Sequence, residues 1–271
     1  MHLRFILLSL LSFCLSSLSA SPALPGIDAA MQEMIAKKEI SGAVTAVIAR
    51  DKVVHLQTHG LADLAAQKPM KEDTLFWIAS MTKPVTATAI LMLQEEGKLK
   101  VSDPVAKYLP EFADLKTPSG KPANLTITQI LTHTSGLGEA PKTAAETVRT
   151  LAELVPLWLA APMQYEPGEK WQYTQSGINA AGRIVEEISG MSFDQFLEKR
   201  LFAPLGMKDT TFYPSEEQLS RLVTAYAKNK ETGELQPVPP RSDSGRAIVR
   251  HKVMEDFTLR RPIMRVSAKC C

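Results

Sequence analysis

The sequence predicts an α+β fold, and three features of the chain carry that prediction. Residues 27–38 have the 3.6-residue periodicity of an amphipathic helix. Two β-rich runs follow, Gly42–Ala49 and Val53–Gly60, separated by the hairpin signal Arg50-Asp51-Lys52. Most of the chain between about residues 100 and 210 then has helical patterns. A helix followed by antiparallel strands is typical of an α+β protein and not of a doubly wound parallel sheet.

The ends of further helices can also be located in the sequence. A strong helix is predicted from Ser80 to about Gly97, and another follows Trp171 to Tyr173 and ends at Gly190. Three pairs of residues match the capping box that opens a helix: Thr126 with Gln129, Thr143 with Glu146, and Ser192 with Gln195.

Composition limits the classes of function. The chain has 271 residues, of which 45% are hydrophobic, and this is enough for a large core; its net charge is only +2. It has no broad basic face for nucleic acid, so the expected partner is a small molecule. Cys14 lies in the leader described next, and Cys270 and Cys271 are the last two residues. The mature core is therefore expected to lack both a disulfide and a thiol nucleophile.

Residues 1–23 have the composition of a signal peptide. Arg4 gives a positive start, Phe5–Leu18 is an apolar run, and small residues suited to cleavage follow at Ser19, Ala20 and Ala23. We expect export to the periplasm or the cell exterior, with membrane contact only during export. An uncleaved anchor is the alternative.

Ser80 and Lys83 are the first candidates for chemistry. Residues three apart on a helix share a face, so the Lys83 amine can reach the Ser80 hydroxyl. Serine becomes a nucleophile when a neighbouring base takes its proton. Alone, the pattern is equally met by a helix N-cap serine followed by an exposed lysine.

Tyr173 is the second candidate, because a tyrosine near a lysine can shuttle protons. By itself it would more often be a packing residue. His133 is interpreted as a buried, hydrogen-bonded structural residue, since no G-x-S-x-G nucleophile elbow occurs in the chain. His55 and His59, four apart in a strand, are predicted to be too far apart to share a metal. No metal-ligand or phosphate-loop spacing occurs, so no cofactor is expected.

Four segments together resemble a known family. FWIASMTKPVTATAILMLQEEGKL, ITQILTHTSGLG, YEPGEKWQYTQSGINAAGRIVEEISG and LFAPLGMKDTTF resemble, in this order, the serine β-lactamase and penicillin-binding-protein superfamily, including class C β-lactamases, DD-peptidases and secreted esterases. The resemblance implies the β-lactamase/DD-peptidase-like fold, an antiparallel sheet with flanking helices beside a mostly helical region. It also implies that Ser80, Lys83 and Tyr173 are catalytic and that Gln175 contacts substrate. The family usually has Asn at the Gln175 position, and the longer side chain argues against strong β-lactamase activity.

The resemblance runs from about residue 27 to about residue 240. It implies that residues 24–241 are a partial domain that lacks the family's third motif and its C-terminal strands and helix. Residues 242–271 form an aberrant tail with seven Lys or Arg against three Asp or Glu. Reading the codons of this tail one base out of frame permits GNGGLYSTAADYARFCQML, which resembles a segment that family members carry there. We hypothesise a frameshift, and we expect this 271-residue product to be poorly folded and nearly inactive.

The expected function is that of an exported serine hydrolase acting through an acyl-enzyme on an ester or amide, with a carboxylesterase or β-lactam-like substrate. One alternative is a DD-peptidase or D-aminopeptidase acting on peptidoglycan peptides. The other is a non-catalytic penicillin-binding relative in which Ser80 only traps an acyl group.

Overall fold

The computed structural model describes residues 24–50, 52–141, 148, 150–238 and 258–259. The predicted signal peptide, the Thr143–Glu146 capping box and nearly all of the predicted tail lie outside these residues. The helices are α1 (Ile27–Ala36), α2 (Thr82–Glu95), α3 (Ile127–Leu131), α4 (Leu151–Ala160), α5 (Ser176–Ser189), α6 (Phe193–Leu197) and α7 (Glu216–Ser220). The strands are β1 (Gly42–Ala49), β2 (Lys52–Asp63), β3 (Lys68–Pro69), β4 (Phe76–Trp77), β5 (Tyr226–Lys228), β6 (Leu235–Pro237) and β7 (Thr258–Leu259).

The predicted hairpin is confirmed as the centre of an antiparallel sheet with the order β1-β2-β3. Arg50 turns the chain with a positive φ of 56°. Helix α1 packs on β1 and β2. The two remaining sheets among the described residues are the two-stranded pairs β4–β7 and β5–β6.

A threonine on β1 bridges the two histidines of β2. Thr45 lies opposite Gln57, and is therefore diagonal to both His55 and His59 on the same face of the sheet. Its hydroxyl is 2.9 Å from His55 Nε2 and 3.0 Å from His59 Nε2. Both rings are buried, and Asp28 of α1 lies 3.2 Å from His59 Nδ1. The cross-strand hydroxyl thus joins two rings that strand spacing alone would separate.

The main core lies in the helical region, where α2, α3, α4 and α6 surround α5. Its largest fully buried side chains include Ile90, Ile130, Trp158 and Phe196. Gly177 lets α5 approach α3, because a Cβ there would lie 2.7 Å from the carbonyl oxygen of Ile130. Helix α5 ends at Gly190, as predicted, with a left-handed φ of 67°.

The capping predictions had mixed outcomes. The Thr126–Gln129 box is present in full at the start of α3. Ser192 precedes α6 but its side chain makes no capping bond, so that prediction is wrong. At the same helix start, the Phe193 N–H donates to Glu186 Oε1 of the neighbouring helix α5 at 3.0 Å.

Candidate active site

Ser80 lies in a single 3₁₀ turn, Ala79–Met81, that joins β4 to α2. The sequence predicted that the α-helix would begin at Ser80, whereas α2 begins two residues later, at Thr82. The Thr82 hydroxyl donates to the Ala79 carbonyl at 2.7 Å, and the Met81 N–H donates to Ile78. Ala79 has a positive φ of 43°, a strained conformation for alanine. These contacts fix the turn that presents the Ser80 hydroxyl.

Lys83 lies in the first turn of α2, one turn after Ser80. Its Nζ donates to Ser80 Oγ at 3.2 Å, and the residue is only 8% exposed. A buried ammonium group must be compensated by nearby hydrogen-bond acceptors or electron-rich groups. The ring of Tyr173 supplies one of these, since its centroid is 4.3 Å from Nζ.

Tyr173 completes the group from a distant segment. Its Oη is 2.7 Å from Ser80 Oγ, although 93 positions separate the two residues. Desolvation raises the pKa of the phenol, but the hydrogen bonds with Lys83 and Ser80 and the Lys83 charge outweigh it. The net pKa of Tyr173 is therefore below its usual value of 10.0, which favours a phenol that exchanges its proton with Ser80.

Gln175, the predicted substrate contact, is the N-cap residue of α5, two positions beyond Tyr173. Its Oε1 is buried and has no hydrogen-bond partner among the described residues. The structure therefore places Gln175 beside the site but does not join its amide oxygen to Ser80, Lys83 or Tyr173.

His133 is hydrogen-bonded, as predicted, but half-buried instead of buried. Its Nδ1 accepts from the Thr174 N–H at 3.3 Å, its carbonyl accepts from Gln172 at 2.9 Å, and its ring lies 4.7 Å from that of Tyr173. Burial and then the Lys83 charge lower the pKa of His133. Only a neutral imidazole can accept the hydrogen bond of the Thr174 N–H at Nδ1. In this form His133 supports the backbone of the Tyr173 segment.

Glu139 is a residue near the site that the sequence analysis missed. Its carboxylate accepts hydrogen bonds from the backbone N–H groups of Gln175 and Ser176. Its position next to THTSGLG was the only signal in the sequence, and a glutamate there matches no motif.

The described residues contain no group of three or more metal-ligating side chains. Within the same part of the chain, no helix combines the length and the apolar character needed to cross a membrane.

A serine hydroxyl contacted by both a buried lysine and a tyrosine, on an α+β scaffold, is the arrangement typical of a class of proteins with an activated serine. Within that class, the chain belongs to the beta-lactamase family, whose model matches residues 27–251.

The most similar relatives include esterases and penicillin-binding proteins. Esterase EstB of Burkholderia gladioli is 33% identical over 74% of this chain and 55% of its own length. The putative penicillin-binding protein PbpX of Bacillus subtilis is 35% identical over 67% of this chain and 44% of its own. The solved structure of EstCE1, described as a hydrolase with promiscuous acyltransferase activity, matches 86% of this chain and 68% of its own with a TM-score of 0.74 and 24% identity. The predicted β-lactamase/DD-peptidase-like fold is thereby confirmed, and the chain spans about half the length of the curated relatives it matches.

Proposed function

We propose that this protein is a serine hydrolase that forms an acyl-enzyme at Ser80 with a carboxylic ester. The observation that carries the proposal is that Ser80 Oγ lies 2.7 Å from Tyr173 Oη and 3.2 Å from Lys83 Nζ. Tyr173 Oη and Lys83 Nζ are both close enough to exchange a proton directly with the Ser80 hydroxyl.

The chemistry follows from these contacts. The ionised Tyr173 phenol takes the Ser80 proton, with the Lys83 cation stabilising the phenolate. Ser80 Oγ then bonds to the substrate carbonyl carbon, and the carbonyl π electrons move to its oxygen. When this intermediate collapses, the bond to the leaving alcohol breaks and the alcohol takes the proton from Tyr173. Water releases the acyl group by the same steps in reverse order.

An uncharged ester with an apolar acyl group is the substrate class that the surroundings of Ser80 favour. Met81, which follows the nucleophile directly, is 62% exposed, and Trp171 is 64% exposed with its ring 6.3 Å from that of Tyr173. Exposed apolar side chains beside a nucleophile offer a surface on which an apolar acyl chain can pack. Gln175 stands where the family usually has Asn, and its longer side chain argues against a β-lactam substrate.

A peptidoglycan-directed peptidase is the second candidate. It is favoured by the match to PbpX and by AmpH of Escherichia coli, named as a D-alanyl-D-alanine-carboxypeptidase/endopeptidase and 33% identical over 56% of this chain. A third possibility is an acyl trap that labels once and does not turn over.

The test compares p-nitrophenyl butyrate, a chromogenic cephalosporin and a D-Ala-D-Ala peptide side by side, with Ser80→Ala as the control. The proposal predicts Ser80-dependent release of p-nitrophenol and an acyl adduct on the peptide that contains Ser80, detected by mass spectrometry. Faster cleavage of D-Ala-D-Ala would favour the peptidase, and a single burst without turnover would indicate the trap. Equal hydrolysis by Ser80→Ala would refute all three.

We further propose that the protein is exported and that the tail results from a frameshift. The support is the signal-like composition of residues 1–23 and the permitted alternative reading of residues 252–271. The nucleotide sequence downstream of codon 241 tests the second proposal: if no single-base shift opens the alternative frame, it is wrong.

A further inference from the structure

Glu139 replaces the missing side-chain cap of α5. Gln175 stands at the N-cap position, but its own side chain makes no capping bond. Glu139, 36 positions earlier, accepts from the Gln175 N–H through Oε1 and from the Ser176 N–H through Oε2, the latter at 3.2 Å. A negative charge is favourable at a helix N-terminus, where unpaired N–H groups point outward.

The loop that carries Glu139 is held in place by close backbone packing. A Cβ on Gly136 would lie 2.2 Å from the Tyr165 carbonyl oxygen, and one on Gly138 would lie 2.7 Å from that of Pro162. Leu137, between them, is 1% exposed. These close contacts at two glycines leave the loop little freedom. The backbone before Glu139 is therefore fixed relative to the segment that contains Pro162 and Tyr165.

The same loop holds the Tyr173 segment at its other end. His133 accepts from the Gln172 N–H through its carbonyl at 2.9 Å and from the Thr174 N–H through Nδ1 at 3.3 Å. Backbone positions 172, 174, 175 and 176 are therefore all bonded to residues 133–139: His133 holds the positions on either side of Tyr173, and Glu139 holds the two positions that follow. Tyr173 is also 45% exposed, so packing covers only part of its side chain.

Electrostatics link Glu139 to the same site. Burial is the largest influence and leaves the pKa of the Glu139 carboxyl above its usual value, although the N–H donors of Gln175 and Ser176 and the charge of Lys83 favour the ionised form.

We propose that Glu139 is a positioning residue for Tyr173: by bonding both N–H groups at the start of α5, it fixes the backbone that places the Tyr173 phenol on Ser80. The inference rests on the proposed function, because its consequence is a faster reaction at Ser80. Glu139 acts through Tyr173 and does not contact the substrate.

A double-mutant cycle on the full chain tests this role. The rate constant for labelling of Ser80 by a fluorophosphonate is measured for the unaltered chain, Glu139→Ala, Tyr173→Phe and the double variant. Displacing a catalytic group by about 1 Å can cost about 10²-fold, so Glu139→Ala is expected to slow labelling by about 10- to 100-fold. In the Tyr173→Phe background the same change is expected to have little effect, because no phenol remains to be placed.

Two further variants control for loss of folding. Glu139→Gln keeps one amide oxygen as acceptor, and an intermediate rate is expected. Glu186→Gln alters a carboxylate that accepts the Phe193 N–H near the other end of α5, and it should label at the unaltered rate. Far-UV circular dichroism of each variant reports whether α5 is retained.

Equal slowing by Glu139→Ala in both backgrounds would show a general structural role and would overturn the inference. Unaltered labelling in both backgrounds would also overturn it, because Glu139 would then have no role in placing Tyr173. Either result leaves the proposed function intact, provided that the unaltered chain is labelled at Ser80. If the unaltered chain and Ser80→Ala are labelled alike, the proposed function fails and the positioning role fails with it.

Discussion

The phenol of Tyr173 can be removed while its ring is retained, and this makes Tyr173→Phe the most informative single change. The ring contacts His133 and Trp171 and lies 4.3 Å from Lys83 Nζ, and phenylalanine preserves all three neighbours. Only the hydroxyl at 2.7 Å from Ser80 Oγ is lost. A fall in reactivity can therefore be assigned to the missing proton acceptor.

The size of the effect follows from the two contacts on Ser80. General acid–base catalysis contributes about 10²–10⁴-fold to a reaction rate. Lys83 remains as a second proton-transfer partner at 3.2 Å, so we expect a loss near the lower end of that range. A fall of about 10²-fold corresponds to about 2.7 kcal/mol of activation free energy. The fold should change little, because a single neutral hydrogen bond contributes about 1 kcal/mol.

The assay follows fluorophosphonate labelling of Ser80 over time and across pH. In the unaltered chain the rate should rise with pH as Tyr173 ionises, and the midpoint of that rise should lie below the usual tyrosine pKa of 10.0 because the pKa of this phenol is lowered. Tyr173→Phe should lack that rise. Ser80→Ala gives the background rate.

A Tyr173→Phe variant that labels at the unaltered rate and with the same pH profile would refute the reasoning. Lys83 alone would then take the serine proton, and Tyr173 would be a packing residue. Loss of labelling together with loss of helical circular dichroism would instead indicate that Phe is not tolerated at position 173.

Three further predictions concern stability and processing. Thr45→Val leaves His55 and His59 without their shared hydroxyl, so we expect the β1–β2 hairpin to lose about 1–3 kcal/mol of stability. The loss should appear as faster amide hydrogen exchange in the hairpin. Thr45→Ser keeps the hydroxyl and should retain most of the protection from exchange. Gly177→Ala places a methyl group 2.7 Å from the Ile130 carbonyl oxygen, so α3 and α5 must separate at a cost of about 1–3 kcal/mol. Faster amide hydrogen exchange in α3 and α5 would show this loss of packing. Unchanged exchange would mean that the two helices can move apart without cost. Expressed in a secreting bacterium, the mature protein should begin within a few residues of Ala23, and N-terminal sequencing that finds Met1 would contradict the signal-peptide prediction.

The sequence alone determined the features that depend on near neighbours. Ser80 and Lys83 are three residues apart at the start of a helix, so their contact follows from helical geometry wherever that helix lies. The β1–β2 hairpin and the Thr126–Gln129 box are equally local. The S-x-x-Q pattern of Ser215 and Gln218 was overlooked, although it forms a full capping box at α7.

Tertiary structure decided the contacts between distant segments. Only packing brings Tyr173 to Ser80 and places Glu139 on α5. It also brought Glu186 of α5 to the Phe193 N–H at the start of α6. The physical reason is that a pattern in sequence reports energies within about one helical turn or one hairpin. A contact across 36 or 93 positions depends on how the completed core brings the elements together.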